Sequence, residues 1–284
     1  MKNNLTEKDI ENLNKWAEKY DIEELKIKDK EKIFNLEELH ISNDNLTELP
    51  KEIGNLTNLK SLDIRTNNLT KLPKEIGNLI NLEEFHISSV KLTELPKEIG
   101  NLTNLKSLII RCFNLNELPK EIFNLINLEE LHISNDNLTE LPKEIGNLTN
   151  LKSLHIRSNN LTKLPKKIGN LINLEKLRIG SDNLTELPKE IGILTNLKSL
   201  YIDCYLNELP KEIFNLINLE KLRIISNNLE ISPDGIEKLI NLEKLYIDIN
   251  IINENFNFKS FPIEEIGKLN NLKEFDISIR KEEK

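Results

Sequence analysis

Histidine is the residue type with the clearest chemical potential in this chain, because imidazole binds metals and changes charge near neutral pH. The four histidines recur at multiples of 23 residues, at His40, His86, His132 and His155. In stacked parallel strands His132 and His155 would lie about 4.8 Å apart. Glu130 could add a carboxylate, but Arg157 would oppose a metal ion. The histidines could form a metal site or a pH-sensitive contact with a partner. Both are secondary hypotheses, and the pH-sensitive contact is favoured.

Arginine and tyrosine are enriched among the residues that contribute most to protein interfaces. Here they recur with the same period and have aspartates beside them. The candidate partner-binding residues are His132, His155, Arg157, Arg178, Tyr201, Asp203, Arg223, Tyr246 and Asp248. The competing interpretation is a solvated sheet face on which arginine and aspartate neutralise each other.

Catalytic motifs are missing from the sequence. It contains no GxxxxGK, GxSxG, HExxH or CxxC pattern, so we expect neither an enzyme nor a cofactor. Cys112 and Cys204 lie at equivalent places four periods apart, which predicts a separation of roughly 19 Å, too far for a disulfide. We therefore expect two reduced thiols.

A repeat must position all of these residues. From residue 36 the template LxxLxIxxNxLxxLPxxIGxLxN recurs every 23 residues, with one shortened unit at Tyr205 and an insertion before Pro262. In each unit LxxLxI predicts a short strand with Leu39 and Ile41 inward and Glu38, His40 and Ser42 outward. Leu-Pro then opens a short helix or 3₁₀ turn. Stacked units bury a continuous core that no single unit could form.

With this template the chain resembles leucine-rich-repeat proteins, of the LPxxIGxLxxL type found in Ras-group intracellular and bacterial members. The resemblance covers residues 36–279. It implies an α/β fold, a right-handed curved solenoid with a parallel sheet on the concave face and short helices, 3₁₀ turns or loops on the convex face. It also implies a non-catalytic protein-protein interaction module or scaffold that binds a protein partner through the concave face.

Alternative functions remain open at this point. One is a small-ligand, metal or pH sensor that uses the histidines of the concave face. Another is a secreted bacterial effector or adhesin without a recognisable signal.

The ninth template position normally carries an asparagine that binds the turn backbone. It is Asn67, Asn159, Asn227 and Asn250 here, but Val90 and Phe113 can form no such bond, which predicts a local irregularity there.

We expect a single solenoid domain over residues 1–284. Residues 1–21 would form a helical cap with a Thr6–Asp9 capping box, and 22–35 a truncated repeat with an extra strand at Leu25 and Ile27. Ten repeats would fill 36–271, and a final strand and tail 272–284. The insertion at 249–261 is interpreted as a C-terminal lid, with a partner-contacting loop as the alternative.

The net charge of −8 argues against nucleic-acid binding, because phosphate binding depends on excess Lys and Arg. Charges interrupt the N-terminal stretch, and no apolar run is long enough for a membrane span. We therefore expect a cytoplasmic monomer that binds a protein partner; a secreted protein without a recognisable signal peptide is the alternative.

Overall fold

The computed structural model describes residues 5–227, 229–231, 235–251 and 261–281. Their contacts group into two compact units, Met1–Asn137 and Leu138–Lys284, called here the N-terminal and C-terminal units. The single solenoid domain over residues 1–284, and the boundaries of the cap, the repeats and the tail within it, remain predictions from the sequence.

The N-terminal unit begins with helix α1 (Glu7–Tyr20), a 3₁₀ turn (Glu23–Leu25) and helix α2 (Lys30–Phe34). Its strands are β1 (Glu38–Ser42), β2 (Ser61–Thr66), β3 (Glu84–Ser89), β4 (Ser107–Arg111) and β5 (Glu130–Ser134). Each strand pairs in parallel with the next in chain order. The 3₁₀ segments between them are Lys51–Asn55, Lys74–Asn78, Lys97–Asn101 and Lys120–Asn124.

The C-terminal unit continues the same alternation. Its strands are β6 (Ser153–Arg157), β7 (Lys176–Ser181), β8 (Ser199–Cys204), β9 (Lys221–Asn227), β10 (Lys244–Ile251) and β11 (Glu274–Lys281), again parallel and in chain order. The 3₁₀ segments are Lys143–Asn147, Lys166–Asn170, Lys189–Ile193, Lys211–Asn215 and Ile236–Lys238, and helix α3 is Ile263–Ile266. Residues 252–260, the greater part of the predicted lid, lie outside the described residues.

Strand β1 shows why the template forms a sheet with two different faces. Leu39 and Ile41 are buried, whereas Glu38, His40 and Ser42 are exposed, as strand alternation predicts. In each of the two units, the outward residues of the strands form what we call the strand face of that unit. In each unit the leucines and isoleucines of successive repeats therefore stack into one core behind this face.

The N-terminal cap follows the sequence prediction. Thr6 accepts a hydrogen bond from the backbone N–H of Asp9, and the Asp9 carboxylate accepts from that of Thr6, which completes the capping box. Trp16 is buried, and its indole N–H donates to the backbone oxygen of Glu48 at 2.9 Å. Helix α1 is thereby fixed to the first repeat.

The extra strand predicted at Leu25 and Ile27 is wrong. Leu25 ends a 3₁₀ turn, and Asp29 caps α2 by accepting from the backbone N–H groups of Glu31 and Lys32. The side chain of Asn14 donates to the backbone oxygens of both Leu25 and Ile27. Because those oxygens are already bonded, they are not available to a neighbouring strand.

The predicted asparagine ladder at the ninth template position is also wrong. Strand alternation continues one residue further than expected, so the eighth position points inward and Asn67 and Asn159 at the ninth are exposed. Buried side chains at the eighth position donate to the leucine oxygen 20 residues earlier: Thr66, Ser89, Asn135, Ser158, Ser181 and Ser226. Val90 and Phe113 are simply exposed, and the register between β3 and β4 is unbroken.

A second ladder of hydrogen bonds, which the sequence reasoning missed, uses the asparagine before the first leucine of each repeat. The side-chain amides of Asn58 and Asn104 donate to the backbone oxygens of Phe34 and Ile80, 24 residues earlier, at 2.9 and 2.8 Å. Asn196 and Asn241 do the same in the C-terminal unit. The recurrence of this asparagine in each repeat was the sequence signal that could have predicted this ladder.

The two cysteines occupy the eighth position and are buried, unpaired thiols. Burial raises the pKa of Cys112 and of Cys204 to about 12, because the thiolate would lose its hydration. We expect both thiols to resist Ellman's reagent at pH 8 in the folded protein and to react when urea unfolds it. Rapid labelling of the folded chain would contradict their burial; the urea sample is the positive control.

Candidate partner-binding surface

The strand face of the C-terminal unit brings four of the predicted residues into one line. Arg178 in β7, Tyr201 in β8, Arg223 in β9 and Tyr246 in β10 are direct register partners on successive strands. We call these four residues the Arg/Tyr row. The regular 23-residue period, corrected by the one-residue deletion at Tyr205, is what places them side by side.

Cation-π contacts connect the whole row. The Arg178 guanidinium lies 4.2 Å from the centroid of the Tyr201 ring, and that of Arg223 lies 5.6 Å from the same ring. Arg223 is also 5.8 Å from the Tyr246 ring. Stacking orients a guanidinium while leaving its N–H edges able to bind carboxylates. Neither arginine forms an ion pair with any described residue.

Strand β11 restrains the far end of the row. The Tyr246 hydroxyl donates to the Glu274 carboxylate, and this hydrogen bond raises the pKa of Tyr246. Arg280 forms an ion pair with Asp248 at 2.9 Å. Tyr246 and Asp248 are therefore restrained by contacts inside the protein. The sequence reasoning predicted the final strand but took no candidate residue from it, and so missed Glu274 and Arg280.

A small depression lies beside the row, over Gly180. Its volume is about 90 Å³, and its lining includes five predicted residues: His155, Arg157, Arg178, Tyr201 and Asp203. A Cβ atom at Gly180 would lie 3.7 Å from Cγ of Arg157 and 3.9 Å from the backbone oxygen of Asp203. The depression exists because glycine stands where N-terminal strands carry Ser or Arg. Its size admits one side-chain head group and not a drug-sized ligand.

His132 belongs to the other unit, in β5, where its Nε2 lies 3.3 Å from the Ser134 hydroxyl. His155 lies in β6 of the C-terminal unit. Among the described residues, no group of three or more His, Cys, Asp and Glu side chains is arranged to hold a metal.

The N-terminal unit contains a charge cluster that the sequence reasoning did not single out. An oxygen of the Asp63 carboxylate lies 3.1 Å from Nδ1 of His86, and Asp63 pairs with Arg65 at 2.9 Å, while His40 lies 3.8 Å away. Burial lowers the pKa of His86, although the negative charge of Asp63 opposes this shift. His86 Nε2 is buried without a partner among the described residues. Asp63 is thus neutralised within the unit, unlike the arginines of the Arg/Tyr row.

The third template position reverses its charge between the two units. In the N-terminal unit, the charged residues at this position are acidic: Glu38, Glu84 and Glu130. In strands β6 to β10 of the C-terminal unit they are basic: Lys176, Lys221 and Lys244. Lys244 pairs with Glu274, but Lys176 and Lys221 are exposed and form no ion pair among the described residues. The signal was present in the sequence as a change from LEEL to LEKL openings.

A family model described as a leucine-rich repeat region matches residues 12–113, 97–184 and 166–284. The chain belongs to the leucine-rich-repeat family. The predicted α/β leucine-rich-repeat fold class is therefore confirmed, since the parallel strands and 3₁₀ turns are those of such a solenoid. Leucine-rich-repeat proteins commonly serve as protein-interaction modules.

Solved structures show the same fold. An internalin of Listeria monocytogenes is 18% identical at a TM-score of 0.53, with 89% of this chain and 84% of that chain covered. The ectodomain of the Arabidopsis receptor kinase HAESA, solved with a peptide hormone, is 22% identical at 0.58, with 86% and 46% covered. A structure described as a TDR receptor is 25% identical at 0.70, with 88% and 44% covered.

The comparison of this leucine-rich-repeat protein with curated proteins finds no match. Within the part of the chain that the structure describes, no helix is long and apolar enough to cross a membrane.

Proposed function

We propose that this leucine-rich-repeat protein is a non-catalytic binding module, and that it binds a protein partner with the strand face of its C-terminal unit. The observation that carries the proposal is the cation-π contact of two guanidiniums, those of Arg178 and Arg223, with the ring of Tyr201. Arginine and tyrosine dominate interface hot spots because they combine a large contact area with directed hydrogen bonds.

The energetics favour this surface over the rest of the strand face. An arginine held by stacking loses less conformational freedom on binding than a free one, so more of its contact energy contributes to affinity. Asp63 in the N-terminal unit already has Arg65 and His86 as partners. A partner would have to displace those contacts there, whereas Arg178 and Arg223 of the Arg/Tyr row have no ion pair among the described residues that a partner would need to break.

A monomer in the cytoplasm, as expected from the sequence, is part of the same proposal. Two buried unpaired thiols are compatible with a reducing compartment.

The proposal is tested by affinity capture from cells that express the protein. The bait carries Tyr201→Ala, Arg223→Ala and Tyr246→Ala, and we expect it to lose most of the prey that the native chain recovers. The matched control is Lys166→Ala, Lys189→Ala and Lys211→Ala, three exposed residues of 3₁₀ segments in the same unit. Equal prey recovery with all three baits would contradict the proposal.

A further inference from the structure

Four cations surround Tyr201 on the strand face. Lys176 and Lys221 are the register partners of Ser199 on either side, just as Arg178 and Arg223 are those of Tyr201. Because β7 and β9 are two strand spacings apart, the two lysines are separated by about 9.6 Å, and so are the two arginines. Along one strand, the lysine and the arginine are separated by roughly 6.6 Å. We call Lys176, Arg178, Lys221 and Arg223 the cationic frame.

The acids near this frame are paired with other lysines. Lys176 acts electrostatically on Glu175, and Lys221 on Glu243 and Glu274, but these acids form their ion pairs with Lys198, Lys273 and Lys244. No described residue forms an ion pair with any of its four members, and Asp203 is the one acidic residue among the outward positions of β7, β8 and β9. The whole chain, by contrast, has a formal net charge of −8. A cluster of unpaired cations on an acidic protein creates a local positive field that attracts anionic groups.

The arginines are also prepared for a particular anion. Both guanidiniums are in cation-π contact with the Tyr201 ring, at 4.2 and 5.6 Å from its centroid, and this contact does not occupy their N–H groups as hydrogen-bond donors. A guanidinium edge matches the two oxygens of a carboxylate. The lysines beside them supply point charges without directional demands.

Building on the proposed function, we propose that the cationic frame recognises an acidic segment of a polypeptide. In an extended segment that lies along the strands, every second side chain faces the sheet, at a spacing of roughly 6.6 Å. This spacing equals that of lysine and arginine on one strand of the frame. Acidic side chains at alternate positions would therefore meet Lys176 and Arg178, or Lys221 and Arg223, without bending the segment.

The test uses a fluorescein-labelled oligoglutamate peptide, whose binding is followed by fluorescence anisotropy at low and at physiological salt. The variant carries Lys176→Glu and Lys221→Glu, which converts two LEKL openings into LEEL. Since residues 36–39 and 128–131 are natively LEEL, we expect the variant to fold. The control carries Lys189→Glu and Lys211→Glu, the same change of charge on exposed 3₁₀ residues.

We expect the native chain and the control to bind the peptide and the frame variant to bind at least about tenfold more weakly. Thermal melts of both variants confirm that each is folded. No binding by the native chain, or equal weakening in both variants, would overturn the inference. So would a single-stranded DNA oligonucleotide that binds as tightly as the peptide, because the frame would then attract any polyanion.

This inference can fail while the proposed function stands. If oligoglutamate does not bind but the triple alanine bait still loses its prey, the strand face binds a partner of other chemistry. If the triple alanine bait keeps its prey, the proposed function itself is wrong.

Discussion

Replacing Gly77 by alanine is expected to lower the free energy of unfolding by about 1–3 kcal/mol, the range for overpacking a close-packed site. A Cβ atom at this position would lie 2.4 Å from the backbone oxygen of Glu98 and 2.7 Å from its Cβ. Both atoms belong to the 3₁₀ segment of the next repeat. Because that backbone is fixed by its own repeat, the clash cannot be relieved by a side-chain rotation.

The matched control for Gly77→Ala is Gly180→Ala, where the added Cβ would only reach ordinary contact distances, 3.7 and 3.9 Å. Glycine in a strand costs roughly 0.5–1 kcal/mol relative to alanine, so this variant should be neutral or slightly more stable. Urea unfolding followed by circular dichroism measures both. Equal stability of the two variants would show that the repeats are not packed as closely as described.

Replacing Tyr201 by alanine is expected to weaken partner binding by about 30-fold, equivalent to roughly 2 kcal/mol. The ring is the surface on which both Arg178 and Arg223 stack, so its loss frees two guanidiniums at once. Calorimetry with the captured partner measures the change. An affinity unchanged by Tyr201→Ala would mean that the partner does not use the Arg/Tyr row.

The conservative variant Tyr201→Phe separates orientation from a direct contact of the hydroxyl. The phenyl ring still stacks with both guanidiniums, and the Tyr201 hydroxyl has no hydrogen-bond partner among the described residues. We therefore expect Tyr201→Phe to bind within about threefold of the native chain. If phenylalanine loses as much affinity as alanine, the stacking does not explain the role of Tyr201.

The fold follows from the sequence because its repeat is nearly perfect. The spacing of leucines, isoleucines and prolines determines which residues face inward, and Leu39 and Ile41 are buried as expected. Errors arose where a single residue decides between alternatives. Strand alternation could end at the seventh or the eighth template position, and buried side chains such as those of Ser89 and Ser181 show that it continues to the eighth.

The candidate surface was predictable in part. Register alone brings Arg178, Tyr201 and Arg223 together, because equal template positions pair across parallel strands. The restraint of Tyr246 by Glu274 was not predictable, since it depends on side-chain conformations across the boundary of an insertion. The lysines of the cationic frame could be identified in the sequence from the LEKL openings. Their proposed role in binding an acidic segment also depends on the neighbouring arginines, which form no ion pair with a described residue.

Site-specific photo-crosslinking tests the central claim most directly. Tyr201→p-benzoylphenylalanine places a reactive ring within the Arg/Tyr row, and the same amino acid at Ile193, an exposed residue of a 3₁₀ segment, serves as the comparison. On irradiation with the partner present, we predict a covalent adduct from position 201 and none from position 193. An adduct from position 193 without one from position 201 would contradict the account.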